Sequence, residues 1–290
     1  MRCLLQGSRD LYQTGVRLYG QCICREVFPL SRPRTHWVFL RGLGRQSGHW
    51  HRFRHLLEKD ARYPFNGSLH FPDPAGTGMR NQEKTPATIP EITEDLRSRT
   101  VVSLPQNEVR CLFAISQGGM VALDWLHRHP GDFDYAFIVN SSAKGLSPWY
   151  HRMQPAAALD LLRAIGSGLI QKNTDRMESR VFSRSCNFEN KEAVAHWIRL
   201  QKQYPVRISN FGRQLFAAMR FSPPDADFEA PIFLVSRNDR LVDPRCSDTL
   251  FEKYGRAGRY FVHPGAGHDL TTDDPEGTLD FLRRYLTAPR

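Results

Sequence analysis

VRCLFAISQGGMVALDWLHRHP, residues 109–130, changes character at its middle. Val109 to Ile115 is a short apolar run of strand length,. From Met120, apolar residues recur at Val121, Leu123, Trp125 and Leu126, a spacing that a helix holds,. Between the two lies AISQGG, residues 114–119, with Ser116 at its tip. A strand, a sharp turn bearing one serine and then a helix form the layout of a nucleophile elbow, usually written G-x-S-x-G. The positions flanking the serine must be small, because the turn brings strand and helix together. Ala114 and Gly118 meet that need, with alanine in place of the first glycine. Ser116 would stand at the positive end of the helix dipole. A glycine-rich turn can also be purely structural, so a base, an acid and an oxyanion hole must come from elsewhere in the chain.

On the N-terminal side, His36 to Leu40 reads as a buried strand, followed by a glycine-bearing turn and a short helix from Trp50 to Lys59,. Gly67 to Phe71 reads as another strand, and Ile89 to Val102 as a helix with Pro90 near its start and Glu91, Glu94 and Asp95 in its early turns,. On the C-terminal side, Tyr135 to Val139 is a further strand. Residues 143–229 lose the strand–helix alternation. Helical patterns appear there at 155–165, 175–186, 191–203 and 208–220, which reads as an inserted helical cap,. The alternation resumes with strands at Pro231–Val235 and Tyr260–Val262, and a closing helix from Pro275 to Leu286. Residues 36–142 and 230–290 therefore form an α/β core. Residues 1–35 form an N-terminal extension, partly disordered and without the apolar stretch of a secretory signal,.

The partners that Ser116 needs follow in order. Asp239 sits in the turn directly after the strand at 231–235, and His268 in a glycine-rich loop after the last strand. Ser…Asp…His, each after a strand, is the arrangement of a nucleophile, an orienting acid and a base. Asp243 and His263 are the alternatives. Asp243 precedes Pro244 and fits a helix start, while His263 ends a strand ahead of Pro264.

With these pieces together the chain resembles the α/β-hydrolase superfamily over nearly all of residues 36–290. It looks like the bacterial alpha/beta fold hydrolases in VFLRGL (38–43), SQGGMVA (116–122), IVNSS (138–142), NDRLVDP (238–244) and HPGAGHDL (263–270). The resemblance implies a central, mostly parallel sheet with helices on both faces and a cap over the site. In lipases and esterases of that kind the turn after the first core strand is H-G-x-G, and it shares the oxyanion hole with the residue after the nucleophile. Here the turn is Arg41-Gly42-Leu43-Gly44, with arginine for histidine. The implied donors are the backbone N–H groups of Leu43 and Gln117. The glycines can also serve only to shape a tight turn.

The implied activity is that of a serine hydrolase on a carboxylic ester or thioester. Acyl transfer, amide cleavage or C–C cleavage with the same triad remain open, as does a non-catalytic binding module. A serine at the elbow argues against haloalkane dehalogenases and epoxide hydrolases, which place an aspartate there. No cofactor is called for. His49, His51 and His55 lack further ligands and a shared face, so they read as surface histidines of the first helix, with no metal,.

The chain of 290 residues has a net charge of +10. Residues 1–36 carry 6 Lys/Arg against 2 Asp/Glu, and residues 141–229 carry 13 against 8. The first reading of this excess is a solvated face; the second is an entrance suited to a small anionic acyl substrate. No nucleic-acid motif is present, and no run of 18 apolar residues suggests a transmembrane segment,. The 6 scattered cysteines form no framework, which suits reduced thiols and a cytoplasmic protein,. The oligomeric state stays open.

Overall fold

The structure is a computed structural model and describes residues 33–60, 62–169, 172–223, 225 and 228–288, with the strands β1 (Val16–Tyr19) and β2 (Cys22–Arg25) ahead of them. β1 and β2 pair antiparallel, Val16 opposite Arg25 and Tyr19 opposite Cys22, within a unit of their own. The partial disorder expected of the N-terminal extension falls on residues outside the described ones.

The main unit is built on β3 (Thr35–Leu40), β4 (Leu69–His70), β5 (Val109–Ile115), β6 (Tyr135–Val139), β7 (Ile232–Ser236) and β8 (Tyr260–His263). They form one six-stranded sheet in the order β4-β3-β5-β6-β7-β8, and every pairing is parallel. Parallel neighbours need crossovers, and helices supply them. The helices are α1 (His51–Lys59), α2 (Ile89–Thr100), α3 (Gln117–Arg128), α4 (Trp149–Arg152), α5 (Pro155–Leu169), α6 (Thr174–Ser185), α7 (Lys191–Gln203), α8 (Ile208–Arg220), α9 (Arg245–Tyr254), α10 (Leu270–Asp273) and α11 (Pro275–Thr287).

A sheet covered on both faces needs apolar side chains at successive positions, which explains the unbroken runs in the sequence. Alternate residues part to the two faces. Trp37, Phe39, Phe113, Phe137 and Leu234 pack with Phe53 and Leu57 of α1 and Leu282 of α11. Val38, Leu40, Leu112, Ile138 and Val235 pack with Leu96 of α2, Val121 and Trp125 of α3 and Leu250 of α9. Each fully buried large side chain contributes about 1.5–3 kcal/mol. β4 is shorter than the strand expected at 67–71: it is an edge strand, and Pro72 cannot extend its ladder,. Among the described residues, no helix is long and apolar enough to cross a membrane.

Two features position the site. First, the chain leaves β3 toward β4 on one side, and β5 returns on the other, so the loops after β3 and β5 diverge. A crevice at the carboxyl ends of strands at such a switch is where open α/β sheets bind ligands. Second, α4 to α8 lie between β6 and β7 in the chain, with a small core of their own around Phe182, Cys186, Ala193 and Trp197.

Candidate active site

Ser116 begins α3 with φ 59° and ψ −119°. Such a conformation costs a non-glycine residue about 1–3 kcal/mol and persists only when its surroundings hold it. Its N–H donates to Val139 O at 2.9 Å, and its carbonyl accepts from Gly119 N at 2.9 Å and Ser141 Oγ at 2.7 Å. The small neighbours have concrete reasons. A Cβ on Gly118 would lie 2.7 Å from Leu40 O and 2.9 Å from Arg41 O. A Cβ on Gly42 would lie 2.9 Å from Ser116 Cβ and 3.2 Å from its Oγ. Ala114 is fully buried between its partners Leu40 and Ile138 in the sheet, so alanine fits where a glycine is usual.

His268 and Asp239 meet at the far side of the crevice. Nδ1 of His268 is 2.7 Å from Oδ2 of Asp239, and both side chains are buried. Oδ1 of Asp239 accepts from Leu241 N at 2.8 Å and Val242 N at 3.0 Å, so the turn after β7 orients the carboxylate. The alternatives have other partners. Asp243 pairs with Arg245 at the start of α9, and Arg245 holds its carboxyl below the ordinary range. His263 contacts Asp274 at 2.9 Å and accepts from Ala266 N at 2.9 Å, bracing the loop that carries His268.

Ser116 and His268 line one cavity of about 340 Å³, with Leu43 and Gln117 beside them. The Ser116 hydroxyl forms no hydrogen bond to His268 among the described residues; contacts of this kind are often long before a substrate binds. The Leu43 N–H has no partner among the described residues either. The walls come from the helices between β6 and β7 and are largely apolar, including Met153, Leu161, Val181, Phe211 and Leu215.

Three groups outside the expected set hold these loops. Arg41 forms a buried bidentate pair with Asp269, the residue after His268, and its guanidinium lies 4.7 Å from the centre of the Trp50 ring. Burial pushes the Asp269 carboxyl up, but the Arg41 charge and hydrogen bonds outweigh it, and the net direction is down. The arginine thus has a partner of its own. Asn140, at φ 47°, donates to Ser236 Oγ at 3.0 Å and His268 O at 2.9 Å and accepts from Ser236 N at 2.8 Å. Gln214 of α8 accepts from Gly44 N at 2.8 Å through Oε1, and its carbonyl accepts from Gln117 Nε2 at 2.7 Å. Asn140 lies in the quoted IVNSS stretch, but nothing local signals its partner 128 residues away.

The histidines of the first helix need a correction. Only His55 is exposed. His49 is buried, its ring 5.2 Å from Trp197 and its Nε2 2.9 Å from Arg45, and burial lowers its pKa well below the ordinary value with help from the Arg45 and Arg41 charges. It precedes the helix proper, inside a short 3-10 turn at Ser47–Trp50 packed against α7, where surface periodicity does not apply. His51 stacks on His196 at 4.1 Å.

Comparison with known proteins agrees with this architecture. A model of the alpha/beta hydrolase family matches residues 37–281. No curated protein matches. Among solved structures, the chain is similar to the esterase EaEST from Exiguobacterium antarcticum, at 16% identity and TM-score 0.65, over 89% of this chain and 94% of that one. It is also similar to the enol-lactonase from Burkholderia xenovorans LB400, at 17% identity and TM-score 0.63, over 88% and 92%. A third is the RedJ thioesterase of the prodiginine biosynthetic pathway in Streptomyces coelicolor, at 16% identity and TM-score 0.55, over 90% of each chain. At these identities the likeness is one of fold. The family match spans the whole sheet from β3 to β8 and runs into the closing helix, and on that extent the chain belongs to the alpha/beta hydrolase family.

Proposed function

We propose that the chain is a serine hydrolase cleaving a carboxylic ester or thioester through an acyl-enzyme. The observation that carries this reading is the buried His268–Asp239 pair, whose histidine lines the same cavity as Ser116. His268 takes the Ser116 proton as Oγ attacks the carbonyl, and Asp239 fixes the imidazole tautomer and stabilises the imidazolium. The N–H groups of Leu43 and Gln117 hold the oxyanion; loss of one such donor commonly costs about 10²–10³ in rate. His268 then protonates the leaving alcohol or thiol. Water, deprotonated by the same histidine, releases the acid and restores Ser116.

Residues 143–229 act as the cap, and residues 36–142 and 230–290 as the core. The partner is a small acyl molecule enclosed by apolar cap side chains. The esterase and thioesterase among the similar structures make ester and thioester the first substrates to try. Cys186 and Cys246 are buried thiols outside any disulfide, which favours a reducing compartment such as the cytoplasm,.

The test is labelling by a fluorophosphonate probe. The wild type should label and Ser116→Ala should not. Labelling of both, or of neither, would refute the reading.

A further inference from the structure

An arginine keeps its charge wherever it is placed, so a buried one needs acceptors, and a carboxylate serves best. The cavity wall carries several arginines. Three have carboxylate partners: Arg41 pairs with Asp269, Arg45 with Glu178 at 2.9 Å, and Arg184 with Asp160. Arg152 and Arg180 do not. No carboxylate among the described residues lies within an ion pair's reach of either.

Arg152, at the end of α4, is held by neutral oxygens. Its guanidinium donates to Ala218 O at 2.5 Å, Met219 O at 3.1 Å and Ser142 Oγ at 3.4 Å. The first two lie at the C-terminal, negative end of α8, which steadies a cation without neutralising it. Burial pushes the Arg152 guanidinium below its ordinary value. Arg180, on α6, is the more exposed in chemical terms: its Nε is buried and has no hydrogen-bond partner among the described residues. No hydrogen bond or ion pair among the described residues holds its terminal nitrogens either, so an acceptor in the cavity that Arg180 lines would meet a guanidinium the protein leaves unmatched,. Two uncompensated cations on the largely apolar wall that Trp149, Leu161 and Phe211 help to form act at low local dielectric, where a charge is felt strongly,. Asp160 cannot compensate them, because it already serves Arg163 and Arg184.

We propose that the substrate carries an oxyanion group, a carboxylate or a phosphate, apart from its scissile carbonyl, and that Arg180, backed by the charge of Arg152, selects for it. The chemistry of cleavage rests on the serine-hydrolase reading; the binding of the anion does not.

The experiment uses matched pairs. Mono-p-nitrophenyl adipate is compared with p-nitrophenyl hexanoate, and S-hexanoyl phosphopantetheine with S-hexanoyl pantetheine. The charged member of one pair should have the higher kcat/KM by about 10- to 100-fold, the range of a hydrogen bond to a charged group. The pair that shows it tells carboxylate from phosphate. Arg180→Gln should bring the charged-to-neutral ratio close to unity, and Arg180→Lys should retain part of it. The ratio is internal to each variant, so a loss of folded protein does not mimic the result. A second arm needs no turnover: monomethyl adipate or phosphopantetheine, and not methyl hexanoate or pantetheine, should raise the Tm of Ser116→Ala, and Arg180→Gln in that background should abolish the rise. Absence of the preference in both arms, or its persistence in Arg180→Gln, overturns the proposal. Failure of Ser116 to label overturns the hydrolase reading alone, and the Tm arm then decides this one.

Discussion

Asp269→Ala should be among the most damaging single changes outside the proposed triad. The Arg41 and Asp269 side chains are 3% and 4% exposed, so removal of the carboxylate leaves a guanidinium in the interior. What remains to it is a 3.4 Å contact with Thr271 Oγ1 and the face of Trp50, with its Nε unpartnered from the start. Breaking a buried pair by removing one partner costs about 3–5 kcal/mol. For a domain of this size each kcal/mol lowers Tm by about 2–4 °C, so the expected fall is about 6–20 °C. The pH dependence has a definite sign. The folded-state pKa of Asp269 lies below the ordinary aspartate value of 3.8. Its stabilisation is therefore complete above that value and is lost as pH falls through the lower folded value. Stability measured by urea unfolding between neutral pH and pH of about 3 should show this acid loss in the wild type and a flatter profile in Asp269→Ala. Replacing both partners, as in Arg41→Met with Asp269→Leu, should recover much of the loss, because no charge is then stranded. A loss below about 1 kcal/mol in Asp269→Ala, the range of exposed pairs, would refute the reasoning.

Gly42→Ala places a methyl group 2.9 Å from Ser116 Cβ, and esterase kcat should fall on the order of 10²-fold, with Tm changed by only a few degrees,. Asp239→Asn can keep the Leu241 and Val242 N–H bonds through its amide oxygen but presents a donor to Nδ1 of His268; the rate of fluorophosphonate labelling and kcat should both drop by about 10⁴-fold,. Asn140→Ala strands Ser236 N and the His268 carbonyl and puts alanine at φ 47°, so urea unfolding should report a loss of about 2–4 kcal/mol, and kcat should fall while KM holds,. Burial pushes the Cys186 thiol well above its ordinary value, so it should stay unmodified by a disulfide reagent in the native protein at neutral pH and react once the chain is unfolded,.

The elements that repeat a local pattern were legible in the sequence. The helices at Lys191–Gln203 and Ile208–Arg220 run as their apolar spacing predicts, and the buried strands around the elbow lie within a residue of expectation. Period and turn chemistry act over a few residues, and a single chain displays them. The order Ser116, Asp239, His268 was legible for a related reason: each follows a strand, and in a parallel sheet strand ends share one edge. What escaped were pairings between distant segments. Arg41 looked like a departure, because its partner Asp269 lies 228 positions away and carries no mark of the pairing. His49 read as a surface residue because α7, which covers it, contributes nothing to the periodicity of residues 49–59. Arg180 is invisible for the opposite reason. Its significance lies in the carboxylate it lacks, and a sequence does not say which arginines its aspartates and glutamates reach.

The arginine in the turn after β3 then acquires a physical account. The loops after β3, β5 and β8 leave the sheet in different directions, and a catalytic geometry that tolerates about half an ångström of error needs ties between them. Arg41–Asp269 joins the turn after β3 to the loop of His268. Asn140 joins the end of β6 to the end of β7 and to that same loop. Gln214 joins the turn after β3 to the residue following Ser116. Each tie links two loops and leaves the reacting atoms free, and each is buried, so water does not compete for it,. A histidine at position 41 would lack the reach and the planar fork that meets both oxygens of Asp269. Position 41 and position 269 therefore form one unit, and a change at either should be read through its partner before it is read through the chemistry.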